Sequence, residues 1–341
     1  MSSFQYSVCS LSPELLKKYQ FFARKNFKNR GYQFNYNYLK HLYFENPFSN
    51  GMDDCRIVAK KYANREEVVG CIHNISSILN PSNNIDKKIK FSGIHNLMID
   101  KDNLGVGYKL LNDAIKRHKN FFVPGVVGDL NLFYSKIGAK QISNKWFRKF
   151  IFTNFYQSFQ RATGKKISSP LLKKLKKECL SVGIEFHDEP SVHLSNIISK
   201  ELDCIKYPRL PIDYILWRVF GYRNPDKQTF ILTMDNDYVV FSVGCRKNLP
   251  ILRIIYINFQ ISKNIKDLIG AMIKIGKLSG SIGIFAASDH LIAINEMNSY
   301  GFKELKNAPK SYFYSKEYNN FYSPHWPMMG DYGFDEFFKV E

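Results

Sequence analysis

No Cys-x-x-Cys pair occurs in the 341 residues, and the six cysteines (Cys9, Cys55, Cys71, Cys179, Cys204 and Cys245) stand far apart with no histidine cluster at ligand spacing. That pattern excludes a disulfide framework and a zinc site, so no metal is expected and the thiols read as reduced. Long apolar runs are also lacking: no window approaches ~18 uninterrupted apolar residues. The start, MSSFQYSVCS, has no basic stretch leading into an apolar one. The expectation is a cytoplasmic protein without a membrane span. Acidic residues are scarce, with 30 Asp and Glu against 49 Lys and Arg, a net charge of +19. Such a balance gathers phosphate-bearing partners such as nucleotides, nucleotide-sugars, RNA or anionic lipid headgroups. Lysine scattered along a chain rich in Asn and Ile equally fits an AT-rich genome. What is present is a folding composition, 45% hydrophobic and 15% aromatic. The length exceeds the ~250–300 residues at which one core stops growing, which implies two domains.

A repeat supports that division. Tyr38 to Asn46-Pro47 is matched by Tyr214 to Asn224-Pro225, each an aromatic-rich helical stretch stopped by Asn-Pro. A β-like run with Val-Gly-Cys follows each, at Val69-Gly70-Cys71 and Val243-Gly244-Cys245. Further on, Tyr134-Ser-Lys-Ile-Gly138-Ala-Lys140 is echoed by Asn298-Ser-Tyr-Gly301-Phe-Lys303. Three short matches in the same order indicate a duplicated unit.

In the first unit, Phe4 to Leu11 alternates as a strand, and Ser12 caps an amphipathic helix through Phe27. Tyr38 to Glu45 gives a second helix. Cys55 to Tyr62 and Val68 to Ser76 form a hairpin, and Gly93 to Asp100 a further strand that leads into Gly105-Val-Gly107 and a helix through Lys119. A strand at Phe121 to Val127, a helix at Leu130 to Lys136 and a closing pair, Ala139 to Ser143 and Trp146 to Phe152, complete the order β-α-α-β-β-β-α-β-α-β-β. The fold class is α/β (α+β), with two tandem mixed, mostly antiparallel twisted sheets flanked by helices. The boundaries are 1–155, a basic helical connector at 156–189, and 190–341.

A strand running through a Gly-x-Gly turn into a helix aims unpaired backbone N–H groups at one point, at the positive end of the helix dipole, and suits a phosphate or diphosphate. An ordinary tight turn has the same short signature. The element order, the strand Leu97-Met-Ile-Asp100, the loop Asp102-Asn-Leu-Gly105-Val-Gly107 and the downstream Leu132-Phe-Tyr134-Ser-Lys-Ile-Gly138 resemble the GNAT superfamily of acyl-CoA-dependent N-acyltransferases. The resemblance implies that Gly105, Val106, Gly107 and Tyr108 contact the coenzyme A diphosphate. It implies also that the backbone of Leu97, Met98 and Ile99 holds the pantetheine arm and that Tyr134 protonates the departing thiolate. The family's basic or amide residue at the head of the loop is Asp102 here, which removes a contact to the anion; Lys101 and Lys109 are the nearby cations. The second unit's counterpart, Ile261 to Asp267, has no glycine pair, so that unit is expected to be a degenerate copy that shapes the acceptor site.

Acyl transfer to an amine needs a neutral amine, a polarised carbonyl and a proton for the leaving sulfur, and no metal. His95 and His73, on neighbouring strands, are the candidate bases, with structural roles as their ordinary alternative. Trp217, Arg218, His325 and Asp331 combine stacking faces with charge and suit a sugar or base ligand, or equally a domain interface. The expected function is acetyl-CoA-dependent N-acetylation of a small-molecule amine, a nucleotide-linked amino sugar in surface-polysaccharide synthesis. A Fem-like aminoacyl-tRNA-dependent transferase and a non-catalytic nucleic-acid-binding scaffold are the alternatives.

Overall fold

A computed structural model describes residues 4–26, 35–49, 54–63, 65–79, 89–103, 105–126, 128–142, 145–163, 166–199, 212–221, 227–246, 249–258, 262–288, 291–306 and 310–316. The first half runs β1 (Gln5–Ser10), α1 (Pro13–Asn26), α2 (Tyr36–Tyr43), β2 (Cys55–Lys61), β3 (Glu66–Leu79), β4 (Ile89–Ile99), α3 (Val106–Arg117), β5 (Asn120–Val126), α4 (Leu130–Lys136), β6 (Lys140–Ile142) and β7 (Lys145–Phe150). Two helices follow, α5 (Phe155–Ala162) and α6 (Ser169–Leu180). The second half repeats the first element for element: β8 (Glu185–His187), α7 (Val192–Ser199), α8 (Ile212–Phe220), β9 (Lys227–Met234), β10 (Asp237–Arg246), β11 (Leu249–Asn258), α9 (Ser262–Leu278), β12 (Gly283–Ser288), α10 (Leu291–Ser299), β13 (Lys303–Glu304) and β14 (Lys310–Ser315). The expected element order of the first unit is therefore observed. The duplicated motifs fall on equivalent elements: Gly70 and Gly244 in the middle strands β3 and β10, Gly138 and Gly301 just past α4 and α10. Those last two have φ of +84° and +77°, the left-handed conformation that ends a helix at glycine.

Each half contributes to both sheets. One sheet has the order β1-β2-β3-β4-β5-β14-β6 and the other, read from the opposite end, β8-β9-β10-β11-β12-β7-β13. The two orders are identical once β14 and β7 are seen as exchanged. β14 inserts between β5 and β6 through pairs such as Phe313–Phe122 and Tyr312–Gln141. β7 inserts between β12 and β13 through pairs such as Phe147–Ala286 and Lys303–Arg148. The Ala139–Ser143 and Trp146–Phe152 segments thus do not close the first unit as a pair: β6 stays there while β7 belongs to the second sheet. The physical reason is burial on both faces. Strand β7 delivers Trp146 to a core shared by the halves and Phe147 to the second half's own core, and both side chains are 1% exposed. Strand β8, which lies inside the stretch read as a connector, is the edge strand of the second sheet.

Three cores result. One lies between α3, α4 and the first sheet, around Leu110, Leu111, Phe121 and Tyr134. Another lies between α6, α9, α10 and the second sheet. The third joins the halves, packing Tyr19, Leu42 and Tyr43 with Leu194, Tyr214 and Ile215. In it α2 meets its own counterpart: His41 and Trp217 hold equivalent places in the repeat, and their rings stack at 4.7 Å. Contact between equivalent residues is what an approximate two-fold axis produces. Among the described residues no helix is long and apolar enough to cross a membrane.

Candidate active site

Strand β4 pairs with β5 in parallel only at Ser92–Phe121 and Gly93–Phe122. Beyond Gly93 it continues to Ile99 beside β3, with Ile94 opposite Asn74, Met98 opposite Cys71 and Ile99 opposite Gly70. One edge of β4 from residue 94 to residue 99 is therefore without a ladder partner from β5, and its main-chain groups border a gap between diverging strands. An unpaired strand edge next to other secondary structure is a ready acceptor for an extended, amide-bearing ligand.

The gap ends at the turn into α3. The turn is closed by bonds from Asn103 N–H to the Asp100 carbonyl and from Val106 N–H to the Asn103 carbonyl. Gly105 is the N-cap of α3 with φ of +83°, and no side chain caps the helix. An added Cβ at Gly105 would meet nothing within 4 Å, so the backbone conformation alone calls for glycine, and open space lies in front of it. A Cβ at Gly107 would lie 3.3 Å from Ile99 Cγ1, so the first turn of α3 approaches the end of β4 closely. Val106, 2% exposed, anchors that turn in the first unit's core, while Tyr108 is exposed and meets the Phe133 ring edge-on at 5.8 Å. Gly70 underlies the arrangement. A Cβ there would stand 2.8 Å from Ile99 Cδ1 and 3.2 Å from Leu110 Cδ1, so α3 sits this close to the sheet because β3 has glycine at that point.

Cations surround the turn. Lys25 pairs with Asp100 at 2.6 Å, and the field of Asp102 also contributes to raising its pKa. Buried Asn103 accepts hydrogen bonds from the Tyr6 hydroxyl at 2.7 Å and from Lys60 Nζ at 3.4 Å. Lys109 Nζ stands 5.6 Å from the Tyr6 ring centre. Asp102 itself is exposed.

Tyr134 lies on α4, 3% exposed, and burial raises its pKa, so the phenol keeps its proton at neutral pH. It stacks at 5.7 Å on Tyr312, whose hydroxyl donates to Asn131 Oδ1 at 3.1 Å. Tyr312 belongs to the exchanged strand β14, so the second half braces the helix that carries Tyr134. Sequence reasoning missed Tyr312, because nothing local marks a residue that acts on the other half of the chain.

His73 and His95 are register partners across β3 and β4. The His73 side chain is fully buried, with Nε2 2.9 Å from the Tyr19 hydroxyl and the Tyr43 ring 5.0 Å away. The His95 side chain, His325 and Asp331 lie outside the described residues. Trp217 sits in the shared core between the halves, stacked on His41 and 5.5 Å from Tyr214. Burial, and after it the charge of Arg218 next to Trp217, lowers the His41 pKa to about 4. Among the described residues no three His, Cys, Asp or Glu side chains group as metal ligands would.

No family model matches the chain, and no curated protein matches its sequence. Solved structures do. A Saccharomyces cerevisiae N-myristoyltransferase with bound myristoyl-CoA superposes with a TM-score of 0.56 at 12% identity, covering 92% of this chain and 78% of that one. A GCN5-related N-acetyltransferase from Kribbella flavida gives 0.53 at 10% identity, covering 91% and 71%. Another from Anabaena variabilis gives 0.51 at 10% identity, covering 91% and 72%. At such identities the likeness establishes the fold alone, a GNAT-type fold.

Proposed function

We propose that the chain is a coenzyme A-dependent N-acyltransferase with its coenzyme site in the first unit. The observation that carries this reading is the parting of β4 from β5 directly beside an uncapped helix start with a left-handed glycine. The two features offer main-chain groups for an extended amide arm and N–H groups for a diphosphate, side by side. Gly105, Val106, Gly107 and Tyr108 would hold the diphosphate, and the backbone of Leu97, Met98 and Ile99 the pantetheine arm. Lys25, Lys60 and Lys109 add positive charge that offsets exposed Asp102. The fold's likeness to acyl- and acetyltransferases supports the assignment.

The thioester supplies an activated acyl group; the chain's own residues position it and manage protons. An N–H of the open β4 edge would polarise the thioester carbonyl. Tyr134, kept protonated by burial, is the proton donor for the leaving sulfur. The acceptor amine has to lose a proton. His73 is sealed from solvent and bonded to Tyr19, so that role falls to His95 or to ordered water. Acetyl-CoA is the proposed donor and a nucleotide-linked amino sugar the proposed acceptor, in keeping with the +19 charge.

Calorimetric titration with acetyl-CoA tests the coenzyme site. Binding should be abolished in Gly107→Trp with the circular dichroism spectrum unchanged; undiminished binding in that variant would place the coenzyme elsewhere. Mass spectrometry of reactions with a panel of amino sugars tests the acceptor, and a panel left wholly unmodified would reject the sugar.

A further inference from the structure

Helix α5 is amphipathic in the inverted sense. Its main chain packs on Gly280 at the end of α9, where an added Cβ would stand 2.7 Å from the Gln157 carbonyl carbon. Arg161, 6% exposed, reaches toward Gln228, and its carbonyl accepts from the Cys245 thiol at 2.6 Å. Its aromatic side faces solvent, with Phe155 85%, Tyr156 66% and Phe159 59% exposed. Just before the helix, Phe150 is 69% and Phe152 99% exposed. Five exposed rings within ten residues form far more apolar surface than scattered exposed side chains do, and such a patch marks a contact surface.

Charge identifies what covers it. Residues 130–177 contain twelve Lys and Arg and no Asp or Glu; Lys145 and Lys176 are already paired with Glu304 and Asp188 and Arg161 is buried, so the cations that matter are the exposed ones beside the patch. Thr153 Oγ1 donates to the Lys277 carbonyl at 2.8 Å, which places that exposed lysine beside the start of the aromatic helix. Helix α6, which flanks the same end of α9 through the Glu178–Lys274 ion pair, adds the exposed Lys173, Lys174 and Lys177. The Arg148 guanidinium stands 5.2 Å from the Phe150 ring centre.

We propose that the β7–α5 segment is a docking surface for an anionic lipid bilayer. Phe150, Phe152, Phe155 and Phe159 enter the headgroup–acyl boundary, and the surrounding cations pair with lipid phosphate and carboxylate groups. Phenylalanine rings projecting from a short surface helix, with lysine around them and no acidic side chain in that stretch, fit interfacial insertion. A single-stranded nucleic acid needs instead a groove that tracks its backbone between stacking rings. The chain then works at a membrane surface.

The test is co-sedimentation of the full chain with vesicles of equal parts phosphatidylcholine and phosphatidylserine, and with phosphatidylcholine alone. Binding is expected to the anionic vesicles, to weaken as salt is raised, and to fall about tenfold or more for Phe155→Ser/Phe159→Ser and for Phe152→Ser. These side chains are exposed, so an unchanged circular dichroism spectrum verifies folding. Three results would overturn the proposal: no anionic-vesicle binding, binding indifferent to these substitutions, or an aromatic-dependent shift to dimer or to an RNA oligomer complex in place of vesicle binding.

Discussion

Gly105 and Gly107 stand two residues apart in the same turn, yet alanine at each should act on different quantities. Gly105 has φ of +83° and open space where a Cβ would go. Gly105→Ala therefore introduces no clash, and its cost is that of forcing an L-residue into the left-handed region, about 1–2 kcal/mol. Gly107 lies within α3, where alanine gains about 1 kcal/mol of helix propensity over glycine. Its new Cβ, 3.3 Å from Ile99 Cγ1, gives back part of that gain. Stability of Gly107→Ala should thus stay within about 0.5 kcal/mol of the native protein. Binding should show the reverse order of sensitivity to crowding. At Gly107 the added methyl stands where the helix start meets the end of β4, and the loss of one charge-assisted amide contact, about 1.5–3 kcal/mol, weakens acetyl-CoA roughly 10- to 100-fold. Urea denaturation followed by tryptophan fluorescence gives the stabilities, and calorimetric titration the affinities. A Gly105→Ala protein as stable as the native one would mean that the turn is not left-handed. Unaltered affinity in Gly107→Ala would remove the α3 start from the coenzyme site.

Tyr134→Phe should lower kcat by roughly 10²- to 10⁴-fold with acetyl-CoA affinity preserved, as loss of a proton donor does; full retention of kcat would exclude the phenol from proton transfer. Tyr312→Leu removes a ring stack worth about 1 kcal/mol and a hydrogen bond worth about 1 kcal/mol, so urea midpoints should report a loss of about 2 kcal/mol. Turnover at the first unit should fall as well, although Tyr312 belongs to the second half. His41, 3% exposed with its pKa lowered to about 4, favours folding fully above pH 6.5, and that contribution of about 3 kcal/mol is lost as pH falls from 6.5 toward 4. Asp54, 1% exposed with its pKa raised to about 6 by burial, has the opposite sign, and its contribution of similar size is lost as pH rises from 4 through 6. The two slopes oppose each other, so stability measured by urea titration at several pH values should fall more steeply toward acid in Asp54→Asn and more steeply toward neutral pH in His41→Gln.

The element order was legible because each step has a local signal. Ser12 and Glu14 open α1, alternation marks β2 and β3, and Asn-Pro follows α2. The turn at Gly105 was legible for the same reason, since two glycines between a strand and a helix are a local pattern. The destination of a strand is not local. Trp146 and Phe147 read as the last strand of the first unit because their alternation says only that both faces are buried, and it does not say in which sheet. Trp217 and Arg218 carried the same ambiguity. An aromatic beside a cation fits a ligand or an interface equally well, and no local pattern says that Trp217 stacks on His41 of the other half. Tyr312, 178 residues beyond Tyr134 in sequence, had no signal at all.

The exchanged strands separate what the two halves share from what differs between them. The parting of strands is common to both: β11 and β12 pair only at Ile251–Gly283, Leu252–Ile284 and Arg253–Phe285, and β11 then runs on to Asn258. That feature belongs to the topology and survives sequence change. The glycine pair does not, for residues 261–267 of the second half read Ile-Ser-Lys-Asn-Ile-Lys-Asp. Exchange makes each sheet depend on the partner half's last strand and not on its turn. The first sheet therefore rests on Tyr312 and Phe313 in β14, whatever the sequence of the second half's turn. The second half cannot be removed without loss to the first, because the Tyr134 ring on α4 packs on Tyr312, which the second half supplies.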